Sequence, residues 1–382
     1  MIYLDHNAST PVRPEVAEAI QACLTGLHGN ASSLHREGQR ARAAMEWARE
    51  QVAALVGARA SEVVFVSGGT EGDHLALVGG AWALSRSPGR VAISAIEHHA
   101  IHGAGDVLRD HGFRIEHVPV DARGVVDRAA LERLPDDTAI VALMLANNET
   151  GAVQPVAETA DWAHRRGARL LCDAVQAAGK IPVDAATLDP DYLVISGHKI
   201  GGPKGAGALV VRRGAPLAPL FRGSGHESGR RGGTENVPGI VGLGLAAELA
   251  ARDLASEPAR LEKLRAQLES AILDADPSAV FHSRQAPRLP NTVNASFPGA
   301  RSDAMLMALD ARGVAVSAGA ACASGAVEPS PVLSAMGVSR EIAVCAIRFS
   351  LGRTTTEVEI EKLAAILPEA LRAARAAAPM VA

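Results

Sequence analysis

Aromatic side chains make up only 3% of the 382 residues, too few for the stacking platforms that single-stranded nucleic acid requires. An excess of positive charge is missing too: the net charge is -4, so no basic face for nucleic acid is expected. No apolar run free of charge approaches membrane-spanning length, and the start, Met1-Ile2-Tyr3-Leu4-Asp5-His6, has no basic segment leading into an apolar core. The expectation is a cytoplasmic protein with no membrane partner. Cysteine is scarce, and Cys23, Cys172, Cys322 and Cys345 form no Cys-x-x-Cys pair, which argues against a disulfide framework or a self-contained zinc site. His98-His99 and His226-Glu227 also lack the His-Glu-x-x-His spacing, so no metal is expected.

Lysine is scarcer than its chemistry would suggest. Only Lys180, Lys199, Lys204, Lys263 and Lys362 stand among 38 Lys plus Arg residues, so arginine serves nearly wherever a positive charge suffices. Lys199 ends the run Tyr192 to Ile195 followed by Ser196-Gly197-His198, the pattern of a doubly buried strand that stops at polar residues. An amine beyond a strand's carboxyl end points into the crevice where open α/β sheets bind ligands. Unlike a guanidinium, it can lose its proton and attack an aldehyde. The alternative, a solvated lysine in a Gly-rich loop, suits Lys204 better.

Other strand-like runs end the same way. Val91 to Ile96 stops at Glu97-His98, Ala139 to Ala146 at Asn147-Asn148-Glu149, and Leu170 to Cys172 at Asp173, with Gln176 three residues on. Residues 62 to 67 read as a strand that delivers Gly68-Gly69-Thr70-Glu71 to a helical segment from Asp73 to Trp82, a place for an anion at a helix N-terminus. Helical stretches between the runs, such as Val156 to Arg166, imply a mainly parallel sheet covered on both faces. The polar groups then share one edge. A carboxylate (Asp173), an imidazole (His98), amides (Asn147, Gln176), a hydroxyl (Ser196), an anion pocket (Gly69, Thr70) and an amine (Lys199) are the parts needed to hold pyridoxal phosphate. Taken singly, each is more often a strand-end cap. The charged residues Arg42, Glu46, Arg49 and Glu50 on the helix from Gly38 to Val56 read as a solvated face.

After Val210 the stretch Phe221 to Asn236, rich in glycine with three arginines, reads as a mobile loop near an anion, or alternatively a disordered surface loop. Beyond it, helix resumes near Val237 and continues with Pro258 to Leu273. Strands Thr292 to Phe297, Val314 to Ser317 and Val344 to Leu351 then alternate with helices Ser302 to Ala311, Pro331 to Met336 and one from Glu357. Arg348 shares a strand face with Ala346 and Ser350, shaped either to grip a carboxylate or to form a surface ion pair. Small residues surround Cys322, so its sulfur is not expected to be buried like that of an ordinary core cysteine.

The motifs Tyr3-Leu4-Asp5-His6-Asn7-Ala8-Ser9-Thr10-Pro11, Gly68-Gly69-Thr70-Glu71, Asp173-Ala174-Val175-Gln176, Ser196-Gly197-His198-Lys199, Arg231-Gly232-Gly233-Thr234, Ala321-Cys322-Ala323-Ser324-Gly325 and Arg348-Phe349-Ser350 resemble those of cysteine desulfurases of the NifS/IscS type, in the class V aminotransferase group. The resemblance implies an α/β fold of the fold-type I pyridoxal phosphate enzymes: a large domain with a mainly parallel, seven-stranded-type sheet, plus a smaller α+β domain. Residues 1–15 would pack with the small domain, 16–250 would form the large one, and 251–382 the small one with the Cys322 loop. It further implies that Lys199 bonds the cofactor and removes the substrate Cα proton, His98 stacks on its ring, Asp173 pairs with the ring nitrogen and Gln176 meets its phenolic oxygen. Thr70, Ser196 and His198 would bind the phosphate, joined by Thr234 from the other subunit of a homodimer. Arg348 and Asn147 would hold the carboxylate of L-cysteine. Cys322 would take the sulfur as a persulfide, with His98 as a nearby proton acceptor, and hand it to an acceptor protein, a scaffold or thiolation enzyme. A selenocysteine lyase or another class V aminotransferase-type enzyme is the alternative, and a non-catalytic sulfur carrier or assembly platform the second. Ser224 and Ser228 stand where this family commonly has glycine and arginine.

Overall fold

The computed structural model describes residues 1–84, 89–319 and 328–377; Cys322 lies outside them. Its central sheet has seven strands in the order Val63–Val66, Gly207–Val211, Tyr192–Ser196, Arg169–Asp173, Thr138–Ala142, Arg90–Ser94, Arg114–Val118. All neighbours run parallel except Gly207–Val211, which is antiparallel to both of its neighbours. Tyr192–Ser196 is buried along its whole length, as its unbroken apolar run requires when helices cover both faces.

Two consecutive reversals around Gly207–Val211 leave Val63–Val66 parallel to the lysine strand, so its carboxyl end reaches the same edge as theirs. Gly207 lets the strands close there, since a Cβ on it would come within 2.8 Å of the Gly68 Cα. Helix begins at Gly69, four residues before the expected Asp73, and passes through a wider π turn at Leu75–Gly79. A second core gathers Ile2 and Leu4 with Phe297, Phe349 and the inner faces of helices Glu257–Ala275 and Glu357–Ala377. Its sheet pairs Ala346–Ser350, Thr292–Ser296 and Val280–Phe281 antiparallel, while Ile2–Tyr3 runs parallel to Val314–Ala315.

The strands Arg114–Val118, Gly207–Val211 and Val280–Phe281 have no counterpart in the sequence reading. Arg114–Val118 is a half-exposed edge strand whose charges mask its alternation. The strand expected from Val344 starts at Ala346, because Arg340–Ala343 is a turn of helix that carries Val344 at its end. On the first long helix, observed at Arg36–Leu55, Arg42, Glu46 and Glu50 are exposed as the solvated face requires, and Arg49 alone departs from it. Arg49 is nearly buried there: it makes two hydrogen bonds to Glu227, donates to the Val63 carbonyl and lies 4.5 Å over the Phe65 ring.

Candidate active site

At the carboxyl edge of the sheet a cavity of about 400 Å³ opens, and nine of the sequence-predicted residues line it: Gly69, Thr70, His98, Asp173, Gln176, Ser196, His198, Lys199 and Arg348. The Lys199 amine donates to the carbonyls of Asn7 at 2.5 Å and Ala8 at 2.8 Å. Burial, with Arg348 nearby, pulls its pKa down to about 8 against the opposing pull of Asp173 and Asp5. A lysine so placed is part neutral near pH 7, as a nucleophile or base must be.

Asp173 ends its strand with Oδ1 accepting the Val175 N–H at 2.8 Å, and burial raises its pKa to about 6. A buried carboxyl in that condition gains from a cationic partner. Two further acids lie close enough to repel it. Asp73 is 1% exposed and its Oδ1 has no hydrogen-bond partner; Glu97 accepts from Ser94 at 2.6 Å and from the Met144 N–H at 2.8 Å, and burial lifts it to about 8. Ser196 is buried with its hydroxyl unpartnered, beside Gly68 and Gly69 where the first helical turn presents free N–H groups. An orphaned hydroxyl at a helix start is the donor set a phosphate wants. The residues present therefore fit pyridoxal phosphate at the anion end, at the amine and at the acid.

His98 caps the helix His99–Asp110, its Nδ1 accepting the Ala100 N–H at 3.2 Å, and burial, with Lys199 next, lowers its pKa to about 4. A neutral ring whose Nδ1 accepts carries its proton on Nε2, so this imidazole offers the cavity a donor.

Arg348 is 6% exposed, with Nη2 2.7 Å from Asp5 and Nη1 donating to the Asn148 carbonyl at 3.0 Å; its Nε has no partner. It is therefore not on the surface. Asn147 is not on the cavity wall. Its Oδ1 accepts from the N–H groups of Glu149 and Thr150 and its amide donates to the Ile96 carbonyl at 3.0 Å, so it shapes the turn that places Asn148 on the wall. Thr234 is exposed and away from its own chain's cavity. Of the described cysteines, Cys23, Cys172 and Cys345 are buried with thiol pKa values pushed up, and none lines the cavity.

The sequence reading missed the weight carried by Asn7, Asp5 and Lys180. Asn7 is 1% exposed and joins Lys199, Gln176, Lys180, Asn291 and Thr292. The mostly polar stretch Asp5 to Thr10, just after the Ile2–Tyr3 strand, was the available signal.

Sheet, cavity and lysine together define a pyridoxal phosphate-dependent enzyme of α/β fold. The model of the aminotransferase class-V family matches residues 2–363. The chain is 45% identical over 99% of its length to the cysteine desulfurase of Trichormus azollae, 95% of which is covered, and 41% identical over 99% to the cysteine desulfurase IscS of Dictyoglomus turgidum, 96% of which is covered. A solved NifS-like protein superposes with a TM-score of 0.91 at 38% identity, covering 97% of this chain and 99% of that one. The chain belongs to the class-V aminotransferase family, among its cysteine desulfurases.

Proposed function

We propose that the chain takes sulfur from L-cysteine, leaves it as a persulfide on Cys322, releases L-alanine and passes the sulfur to an acceptor protein in iron–sulfur cluster assembly or thiolation. What carries the reading is a lysine amine of depressed pKa sharing one cavity with a buried acid and an orphaned hydroxyl at a helix start. When bound, pyridoxal phosphate supplies an aldehyde for amines and a ring that accepts the electron pair left at the substrate Cα.

Ser196, Thr70 and His198 are the residues to hold the phosphate, with Thr234 joining from a second copy in a homodimer. Asp173 is the partner for the ring nitrogen, Gln176 for the phenolic oxygen, and the His98 ring for its face. Lys199 Nζ removes the Cα proton, aided by a pKa close to working pH. Arg348 takes the substrate carboxylate in its planar fork, where Asp5 now sits, and Asn148 flanks it. Cys322, as thiolate, bonds the substrate sulfur. The substrate's carbon–sulfur bond breaks, and a proton replaces sulfur on that carbon to give alanine.

Incubation with L-cysteine without reductant, followed by alkylation and peptide mass spectrometry, tests the acceptor. The Cys322 peptide is expected one sulfur atom heavier while those of Cys23, Cys172 and Cys345 stay unchanged. Alanine release with no heavier Cys322 peptide contradicts the reading.

A further inference from the structure

Lys180 is one of the five lysines, and the reaction described above does not use it. It follows Gly179, whose φ of +73° favours glycine and where a Cβ would come within 3.0 Å of the Ile200 side chain. The turn from Ala174 to Lys180 puts Gln176 and Lys180 four residues apart on one face, and the Lys180 amine donates to Gln176 Oε1 at 2.7 Å and to Asn7 Oδ1 at 3.0 Å. Burial, then Lys199 and Arg348, pull its pKa well below the ordinary value. Even a neutral amine has two N–H bonds for these two oxygens.

An amide held by its oxygen has one orientation left. With Oε1 facing Lys180, the Gln176 NH2 donates to the Asn7 carbonyl at 2.9 Å, the same oxygen that receives the Lys199 amine. With Oδ1 facing Lys180, the Asn7 NH2 reaches Thr292 at 2.9 Å and the Asn148 carbonyl at 3.2 Å. One amine thus orders the Gln176 amide and, together with Asn291, which donates to the same Asn7 oxygen at 3.1 Å, the Asn7 amide; through the Asn7 carbonyl it bears on where Lys199 rests.

We propose that Lys180 is a positioning residue: by holding Gln176 and Asn7 at once it fixes the amide that faces the cofactor and the carbonyl that receives Lys199. The proposal rests on the pyridoxal phosphate reading of the cavity. The charged and titratable groups facing Lys180 include Lys199, Arg348, His6 and His198; those facing Lys199 include Lys180, Arg348, Asp173, Asp5, His98 and His198.

The test loads wild type, Lys180→Met and Lys180→Arg with pyridoxal phosphate, follows visible absorbance against pH without substrate, and then measures kcat and KM for L-cysteine. The Met variant is expected to displace the absorbance transition by about one pH unit. Its kcat is expected to fall about tenfold with KM nearly unchanged, while the Arg variant stays closer to wild type. In a Gln176→Leu background the Met substitution is expected to do less, because the two act as one unit. An unchanged transition and kcat in Lys180→Met, or an effect equal in both backgrounds, overturns the proposal. Should Lys180→Met fail to fold, the smaller Lys180→Ala, which likewise has no side-chain N–H donor, is expected to show the same displacement, and wild-type behaviour there overturns it equally. A wild type that takes up no cofactor sinks the reading of the cavity, whereas a normal wild type beside an indifferent Met variant sinks only the role of Lys180.

Discussion

At the scale of single residues, the site is built from groups that burial pushes away from their ordinary charge states. Lys199 is held down to about pH 8, and Lys199→Ala is expected to lower turnover by at least about 100-fold, checked as alanine release, because no other described cavity group is an amine. Glu97, raised to about 8, and Glu149, raised to about 7 by burial against the pull of Ser330 and Arg348, hold protons in the folded chain that the unfolded chain gives up near its ordinary carboxyl pKa. Stability from such groups is complete below the unfolded value and is lost as pH rises through the folded one. The buried histidines His6, His98, His198 and His282, lowered to about 4, act in the opposite sense, but only below their unfolded pKa of 6.5. Between about pH 6.5 and 8 the histidines no longer contribute, and the carboxyl effect is opposed only by the lowered Lys180 and Lys199, which the unfolded chain keeps protonated. Glu97→Gln is expected to make the change of the thermal midpoint with pH across that window less negative than in wild type; an unchanged or more negative slope would contradict the assignment.

At the scale of elements, close backbone approach decides where the helices lie. A Cβ on Gly244, in helix Val237–Asp253, would come within 2.5 Å of the Ala48 Cα on helix Arg36–Leu55, so Gly244→Ala is expected to cost about 1–3 kcal/mol in denaturant unfolding. Arg49→Ala leaves the Glu227 carboxylate, whose side chain is 3% exposed, without its cationic partner. A loss of about 3–5 kcal/mol is expected, read by the same unfolding measurement. The strands that carry the site were legible because each is an apolar run ending in a polar group, and the structure places Asp173, Ser196 and Lys199 on one cavity from that pattern. Two kinds of residue were not. Asn147 and Asn148 are adjacent and chemically identical, and only the turn geometry shows that the first is consumed internally while the second faces the cavity. Arg49 sits at a helical position indistinguishable from solvated neighbours, and its burial depends on Glu227, 178 residues away.

At the scale of the whole molecule, the N-terminal segment is a seam between the two cores. Leu4 packs with the strand that carries Arg348, while three residues on Asn7 joins Thr292 on one side to Lys180 and Gln176 on the other. Glu149 adds a second tie, receiving the Ser330 hydroxyl at 2.5 Å where the helix Pro331–Ala335 begins. Arg348, on a strand of the second core, thus lines the same cavity as Lys199 on the seven-stranded sheet. The proposed persulfide route predicts one sulfur taken by Cys322 for each alanine released. The direct measurement is sulfide and alanine, counted side by side, from L-cysteine and dithiothreitol with wild type and Cys322→Ala. Equal amounts of both from wild type and neither from the variant are what the account expects; full activity in Cys322→Ala, or alanine without sulfide, would contradict it.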